Sequence, residues 1–223
     1  MIKAIYFVKR KPGIEVADFQ KYWLSTHADV VKKVPEIRRY AQSHTILSGY
    51  RKGQPVYDGV AELWFDDIAT MRRIAELPES KAAQADDYNF IDMPMDFLLT
   101  QEQVQKDGAA GPSMVKLVEF IRRKPGMDVE SFQSYWGKIH GPIASKIPMI
   151  RRYVQSHPLA SAYRDGRQPS CDGVAEVWFD STNAMRDSEK IPEYAATRAD
   201  EPHFLELEPP FTFIITKEHV IIG

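Results

Sequence analysis

Phe19-Gln20-Lys21-Tyr22-Trp23, followed by His27, Pro35, Ile37-Arg38-Arg39-Tyr40 and Gln42-Ser43-His44, returns further down the chain. The second copy reads Phe132-Gln133-Ser134-Tyr135-Trp136, His140, Pro148, Ile150-Arg151-Arg152-Tyr153 and Gln155-Ser156-His157, a constant 113 positions on. A constant offset over so many residue types is duplication, and it sets the fold problem as one unit used twice. In each copy a helix bearing Trp and His precedes a strand bearing Tyr and His, which reads as the wall of a pocket.

Outward from that stretch, each copy has the same neighbours. Residues 2–9 alternate as a strand and stop at Lys11-Pro12-Gly13, matched by Lys124-Pro125-Gly126. A helix over roughly 15–28 places Phe19, Trp23 and His27 on one drifting stripe, with Asp128 as the N-cap of its counterpart. Pro35 ends that register, and Ile37 to Thr45 reads as a strand with Arg38, Tyr40, Gln42 and His44 on one face. Gly59 to Phe65 and Gly173 to Phe179 are third strands, after which Asp66 or Asp67, and Asp180 or Ser181, cap a second helix. Pro78 and Pro192 are expected to end those helices, with an irregular stretch leading to a last strand at Phe97-Thr100 and Phe213-Thr216.

The expected fold class is α+β: two ferredoxin-like β-α-β-β-α-β repeats packed sheet to sheet as an intramolecular α+β barrel. The repeats are expected at 1–104 and 114–223, joined by a polar linker at 105–113. Two helices cover one face of each sheet, and the other apolar face must be buried, which is the reason to expect a barrel.

A formal net charge of −2 gives no reason to expect nucleic acid, and no basic run suggests a membrane surface. No apolar run is long enough for a membrane span, Met1 to Tyr6 reads as a strand instead of a signal peptide, and Cys171 is the only cysteine. A cytoplasmic protein is the expectation.

The pattern Phe-x-x-Tyr-Trp-x3-His, followed by Pro, Tyr and Asp-Gly-x-Ala-Glu-x-Trp-Phe (Asp58 to Phe65, Asp172 to Phe179), resembles the EthD family of the dimeric α+β barrel superfamily. That resemblance implies a barrel whose relatives include cofactor-free monooxygenases, lactone isomerases, cyclases and dehydratases, with more distant haem binders. In the methylmuconolactone-isomerase-like branch it implies a pocket using a His on the first helix and a Tyr on the second strand, here His27 and Tyr40 or His140 and Tyr153. The third-strand cysteine of that branch would fall at Leu63 and Val177, both apolar, which speaks against the same lactone chemistry.

The candidate catalytic set is therefore His140, Tyr153 and His157, with His27, Tyr40 and His44 in the first copy. Trp136, Gln155 and Glu176, with Trp23, Gln42 and Glu62, are the candidate substrate-binding residues. Neutral imidazole accepts a proton near pH 7 and Tyr donates a hydrogen bond to a substrate oxygen. The bland alternatives are buried structural histidines, core tryptophans, and Glu62 or Glu176 paired with Arg38 or Arg151. No cofactor and no metal is expected: two histidines per half fall short of a zinc site unless Glu62 or Glu176 joins. His203 and His219, without counterparts, read as surface residues.

The expected function is a cofactor-independent lyase or isomerase acting by acid/base proton transfer on a small apolar, aromatic or lactone-like compound. The alternatives are a cofactor-free monooxygenase and a non-catalytic ligand-binding accessory protein. The partner expected is a small molecule, with a homodimer of the two-repeat chain left open. The second copy keeps His140-Gly141-Pro142, expected to turn the chain sharply, where the first has His27-Ala28-Asp29, expected to favour charged His27. His140 is accordingly the expected base.

Overall fold

The structure is a computed structural model that describes residues 1–210 and 212–223. Among the described residues the strands are β1 (Ile2–Val8), β2 (Arg39–Thr45), β3 (Gly59–Phe65), β4 (Asp96–Lys106), β5 (Val115–Ile121), β6 (Ile150–Pro158), β7 (Gly173–Phe179) and β8 (Thr212–Ile222). In hydrogen-bonding order they run β1-β3-β2-β8-β5-β7-β6-β4 and close into a barrel, the topology expected of two such repeats.

The chain forms two compact units, Met1–Thr100 with Glu218–Gly223, and Gln101–Lys217. In unit 1, β1 (Ile2–Val8) ends at a turn where Gly13 adopts φ of 87°, a left-handed conformation that a Cβ would strain. Helix α1 (Val16–Tyr22) then continues through a π-helical turn, Trp23–His27, into α2 (Ala28–Val31). The Ala28 amide donates to the Trp23 carbonyl, an i→i+5 bond that widens the helix by one residue. Strand β2 (Arg39–Thr45) pairs antiparallel with β3 (Gly59–Phe65), setting Tyr40 opposite Leu63 and His44 opposite Gly59. β3 also pairs with β1, and β1 with β4 (Asp96–Lys106). Asp67 caps α3 (Ile68–Ala75) by accepting from the Thr70 amide.

Here the structure departs from expectation. Pro78 does not end a helix; it opens one, α4 (Pro78–Phe90). At the first helical position the missing N–H costs nothing and the fixed φ suits the helix. The last strand is also longer than expected, so Gln105 and Lys106 belong to β4 and the linker begins at Asp107.

Unit 2 repeats the design: β5 (Val115–Ile121), α5 (Val129–Tyr135), a π turn Trp136–His140, α6 (Gly141–Ala144), β6 (Ile150–Pro158), β7 (Gly173–Phe179), α7 (Thr182–Ser188), α8 (Pro192–Asp200) and the part of β8 (Thr212–Ile222) before Glu218. Pro192 opens α8 as Pro78 opens α4. Asp128 caps α5 and Ser181 caps α7. Gly141-Pro142 does not turn the chain. Gly141 is helical, with φ of −53°, and the helix runs on through it as it does through Ala28. A Cβ there would meet the end of the Gln105 side chain, which would have to swing aside.

Each unit buries its own core between sheet and helices. Phe19, Trp23, Tyr40, Phe65 and Phe90 lie in unit 1, and Phe132, Trp136, Tyr153, Phe179 and Phe204 in unit 2. Gly59 and Gly173 lie so close to the Trp23 and Trp136 rings that a Cβ at either would overlap the indole. The strand glycine lets each tryptophan press against β3 or β7 and anchors the helix that carries the histidine.

Candidate active site

Between sheet and helices each unit encloses a cavity, of about 150 Å³ in unit 1 and about 320 Å³ in unit 2. His27 and Tyr40 line the first, with Tyr6, Trp23 and Asp87; His140 and Tyr153 line the second, with Glu119 and Glu201. The rest of each wall is chiefly aliphatic and aromatic, which suits a small, largely apolar ligand.

The π turn delivers each histidine to a carboxylate on the helix that the sequence did not announce. His27 Nδ1 stands 2.8 Å from Asp86 Oδ2, and His140 Nδ1 2.9 Å from Asp200 Oδ2. The other oxygen of each carboxylate accepts from a tyrosine hydroxyl, Tyr22 or Tyr135, at 2.7 Å. A carboxylate only accepts, so Nδ1 carries the proton and the Nε2 lone pair is left for the cavity. Burial lowers the pKa of both histidines, with the Asp pulling the other way and losing. Both rings are therefore neutral at pH 7 and able to accept a proton.

The two Nε2 atoms differ in surroundings. In unit 1, Asp87 Oδ1 lies 3.5 Å from His27 Nε2. In unit 2, Glu201 is held instead by Arg198 at 2.8 Å, and His140 Nε2 has no hydrogen-bond partner among the described residues. Desolvation raises Asp87 and Glu201 to about 7 each, so each wall carries a carboxyl that can hold or give up a proton near neutrality.

Tyr40 and Tyr153 are fixed donors. The Tyr40 hydroxyl oxygen accepts from Gln42 Nε2 at 2.8 Å and from Trp23 Nε1 at 3.3 Å. Tyr153 accepts likewise from Gln155 Nε2 at 2.9 Å and Trp136 Nε1 at 3.1 Å. With both lone pairs used, the remaining O–H proton is free to bind an oxygen in the cavity. Burial raises both phenols well above their usual range, so they stay protonated.

Behind the tyrosines, Gln42 also donates to the Trp23 carbonyl, and Gln155 to that of Trp136. His44 bonds through Nε2 to Gln42 Oε1 at 2.9 Å and stacks on Trp23 at 4.3 Å; His157 bonds to Gln155 at 3.1 Å. These glutamines and strand histidines hold the tyrosine in place and do not line the cavity. Burial drops His44 to about 3 and His157 to about 4, so both are neutral. His219 is not simply a surface residue: half-buried, it meets the edge of His44 at 4.9 Å.

The matched domain is the EthD domain, over residues 11–94 and again over 124–208. The chain belongs to the EthD family. No curated protein matches it in sequence. Among solved structures, an anthrone oxidase-like protein aligns at a TM-score of 0.64 and 10% identity, covering 100% of this chain and 93% of its own. Two others, each described as a putative monooxygenase, also share the fold. The Fusobacterium nucleatum protein has a TM-score of 0.61 at 10% identity, covering 99% of this EthD chain and 92% of its own. The Lactobacillus acidophilus protein has 0.57 at 11%, covering 99% and 93%.

In this EthD chain Glu62 and Glu176 do not reach the cavities. They project from the opposite sheet face, where they meet Lys3 at 2.7 Å and Lys116 at 2.6 Å instead of Arg38 and Arg151. Those arginines pair with Asp66 and Asp180 on the surface. Asp29 does not charge His27 either: its side chain is 72% exposed and pairs with Lys32 at 3.0 Å. Sequence reasoning missed Asp86, Asp87, Asp200 and Glu201. The signal was available, since Asp86-Asp87 and Asp200-Glu201 each precede Phe90 or Phe204 at the same spacing. No helix among the described residues is long and apolar enough to cross a membrane.

Proposed function

We propose that this EthD protein is an oxygenase that starts its reaction by taking a proton from a small, largely apolar carbon or oxygen acid. The observation that carries the reading is the His140–Asp200 pair, which leaves a neutral imidazole nitrogen without a protein partner beside a cavity. His140 Nε2 removes the proton, Asp200 stabilises the imidazolium that forms, and Tyr153 donates to the developing oxyanion. The resulting anion is electron-rich enough to reduce O₂. A CH₂ next to the activated ring then becomes C=O, with one oxygen atom retained and the other leaving as water with the two hydrogens. The names of the fold neighbours favour this outcome over lyase or isomerase chemistry, which would use the same base.

Unit 2 is the better candidate for the working site. Its cavity is the larger, and among the described residues no carboxylate pairs with its histidine's Nε2 as Asp87 does with that of His27. The test is a panel of anthrones, phenols and lactones, screened for thermal stabilisation and then for turnover with and without O₂. Oxygen-dependent turnover with one labelled atom from ¹⁸O₂ in the product is expected. Equal turnover without oxygen would restore the lyase or isomerase, and stabilisation without turnover would make the protein a binding accessory.

A further inference from the structure

We propose that the two cavities select different ligands, unit 2 a hydroxylated aromatic compound read by Glu119 and unit 1 one without a hydroxyl at the matching place. The inference rests on the cavities being the functional sites. Duplication supplied both with the same His, Tyr and Asp, so differences elsewhere in the walls decide what each accepts. At matched positions unit 1 presents Tyr6, Ala75, Ala83 and Gln84 where unit 2 presents Glu119, Glu189, Thr197 and Arg198. Two of those changes replace an alanine methyl by a polar group facing the same space.

Glu119 matters most among them. It lines the cavity from the middle of β5, yet no hydrogen bond or ion pair holds its carboxyl among the described residues. Glu201, by contrast, is fastened to Arg198. A carboxyl in a cavity with aliphatic neighbours and no protein partner is costly unless a ligand or water satisfies it. Burial, with the nearby Glu201 charge, outweighs the pull of Arg198 and raises it to about 7, so at neutral pH it can either accept from or donate to a ligand hydroxyl. Tyr6, its counterpart, is instead stacked on Phe97 at 5.4 Å and brings a phenol, kept protonated by burial, to the unit 1 wall. A ligand hydroxyl would find an unpaired carboxyl in unit 2 at a place where unit 1 has a ring-stacked phenol.

The test compares 1,8-dihydroxynaphthalene with naphthalene, each titrated by fluorescence into the full chain and into Glu119→Tyr, Glu119→Leu and Tyr6→Phe. The wild type is expected to bind the dihydroxylated probe more tightly. Both Glu119 variants should weaken that probe by about tenfold or more, from a lost bond to a partly charged group. Naphthalene should change by less than about twofold. Glu119→Tyr installs the residue that unit 1 already accommodates, which guards against a variant that does not fold. No preference in the wild type, equal loss for both probes, or a Tyr6→Phe loss matching that of Glu119→Tyr would each overturn the proposal. The readout is binding, so its failure leaves His140 as a base untouched. A turnover panel that removed that role would leave this comparison readable.

Discussion

At the scale of the residue, the site depends on a histidine kept neutral and turned by a carboxylate. His140 is 6% exposed, and burial outweighs the pull of Asp200. Activity that needs the free base should fall as pH drops through the His140 pKa, on a limb lying below 6.5. His140→Ala should lower kcat by about a hundredfold and His27→Ala by much less, with melting temperatures showing both variants folded. Equal losses would mean that both cavities turn over. The neighbouring carboxyls give a separate pH signature. Asp87 has its folded pKa raised from 3.8 to about 7, so it is neutral where the unfolded chain is ionised. It therefore takes stability away as pH rises from about 4 to about 7. The stability of Asp87→Asn relative to wild type should improve between pH 4 and pH 8, by a few kcal/mol at most. A pH-independent difference would show that Asp87 titrates normally.

At the scale of the element, the duplicated stretch made strands, turns and the first helix legible because alternation, the Lys-Pro-Gly stop and the capping residues each have a local physical cause. The site was half legible. His, Tyr, Trp and Gln share the helix and strand that the repeat itself marks, whereas Asp86 and Asp200 lie on helices hidden by reading Pro78 and Pro192 as stops. Proline blocks a helix only from its interior, and at the first position it starts one. The π turn was invisible too, since Phe19, Trp23 and His27 have ordinary α-helical spacing and the i→i+5 bond comes from packing. That packing can be tested at Gly173, where any Cβ overlaps the Trp136 ring. Gly173→Ala should cost about 1–3 kcal/mol in urea unfolding, as overpacking does. An unchanged midpoint would mean that the indole does not brace the helix against β7.

At the scale of the molecule, the sequence repeats and the compact units have different boundaries. Unit 1 contains Glu218–Gly223, where Glu218 meets Arg39 at 3.2 Å and Ile221 and Ile222 pack on the core. Such contacts are unreadable in sequence because nothing local marks them. A chain ending at Lys217 should lose about 2–4 kcal/mol, the transfer of two partly buried isoleucines, while His140-dependent turnover survives. A truncated chain as stable as the whole would show that these residues add nothing to unit 1.

The proposed function turns on both helix histidines being neutral, protonated on Nδ1 and unprotonated on Nε2. ¹⁵N chemical shifts of histidine-labelled protein at pH 7, with His27→Gln and His140→Gln for assignment, measure this without a substrate. The account predicts a protonated Nδ1 and an unprotonated Nε2 for both residues. An imidazolium, or the opposite tautomer at His140, would contradict it.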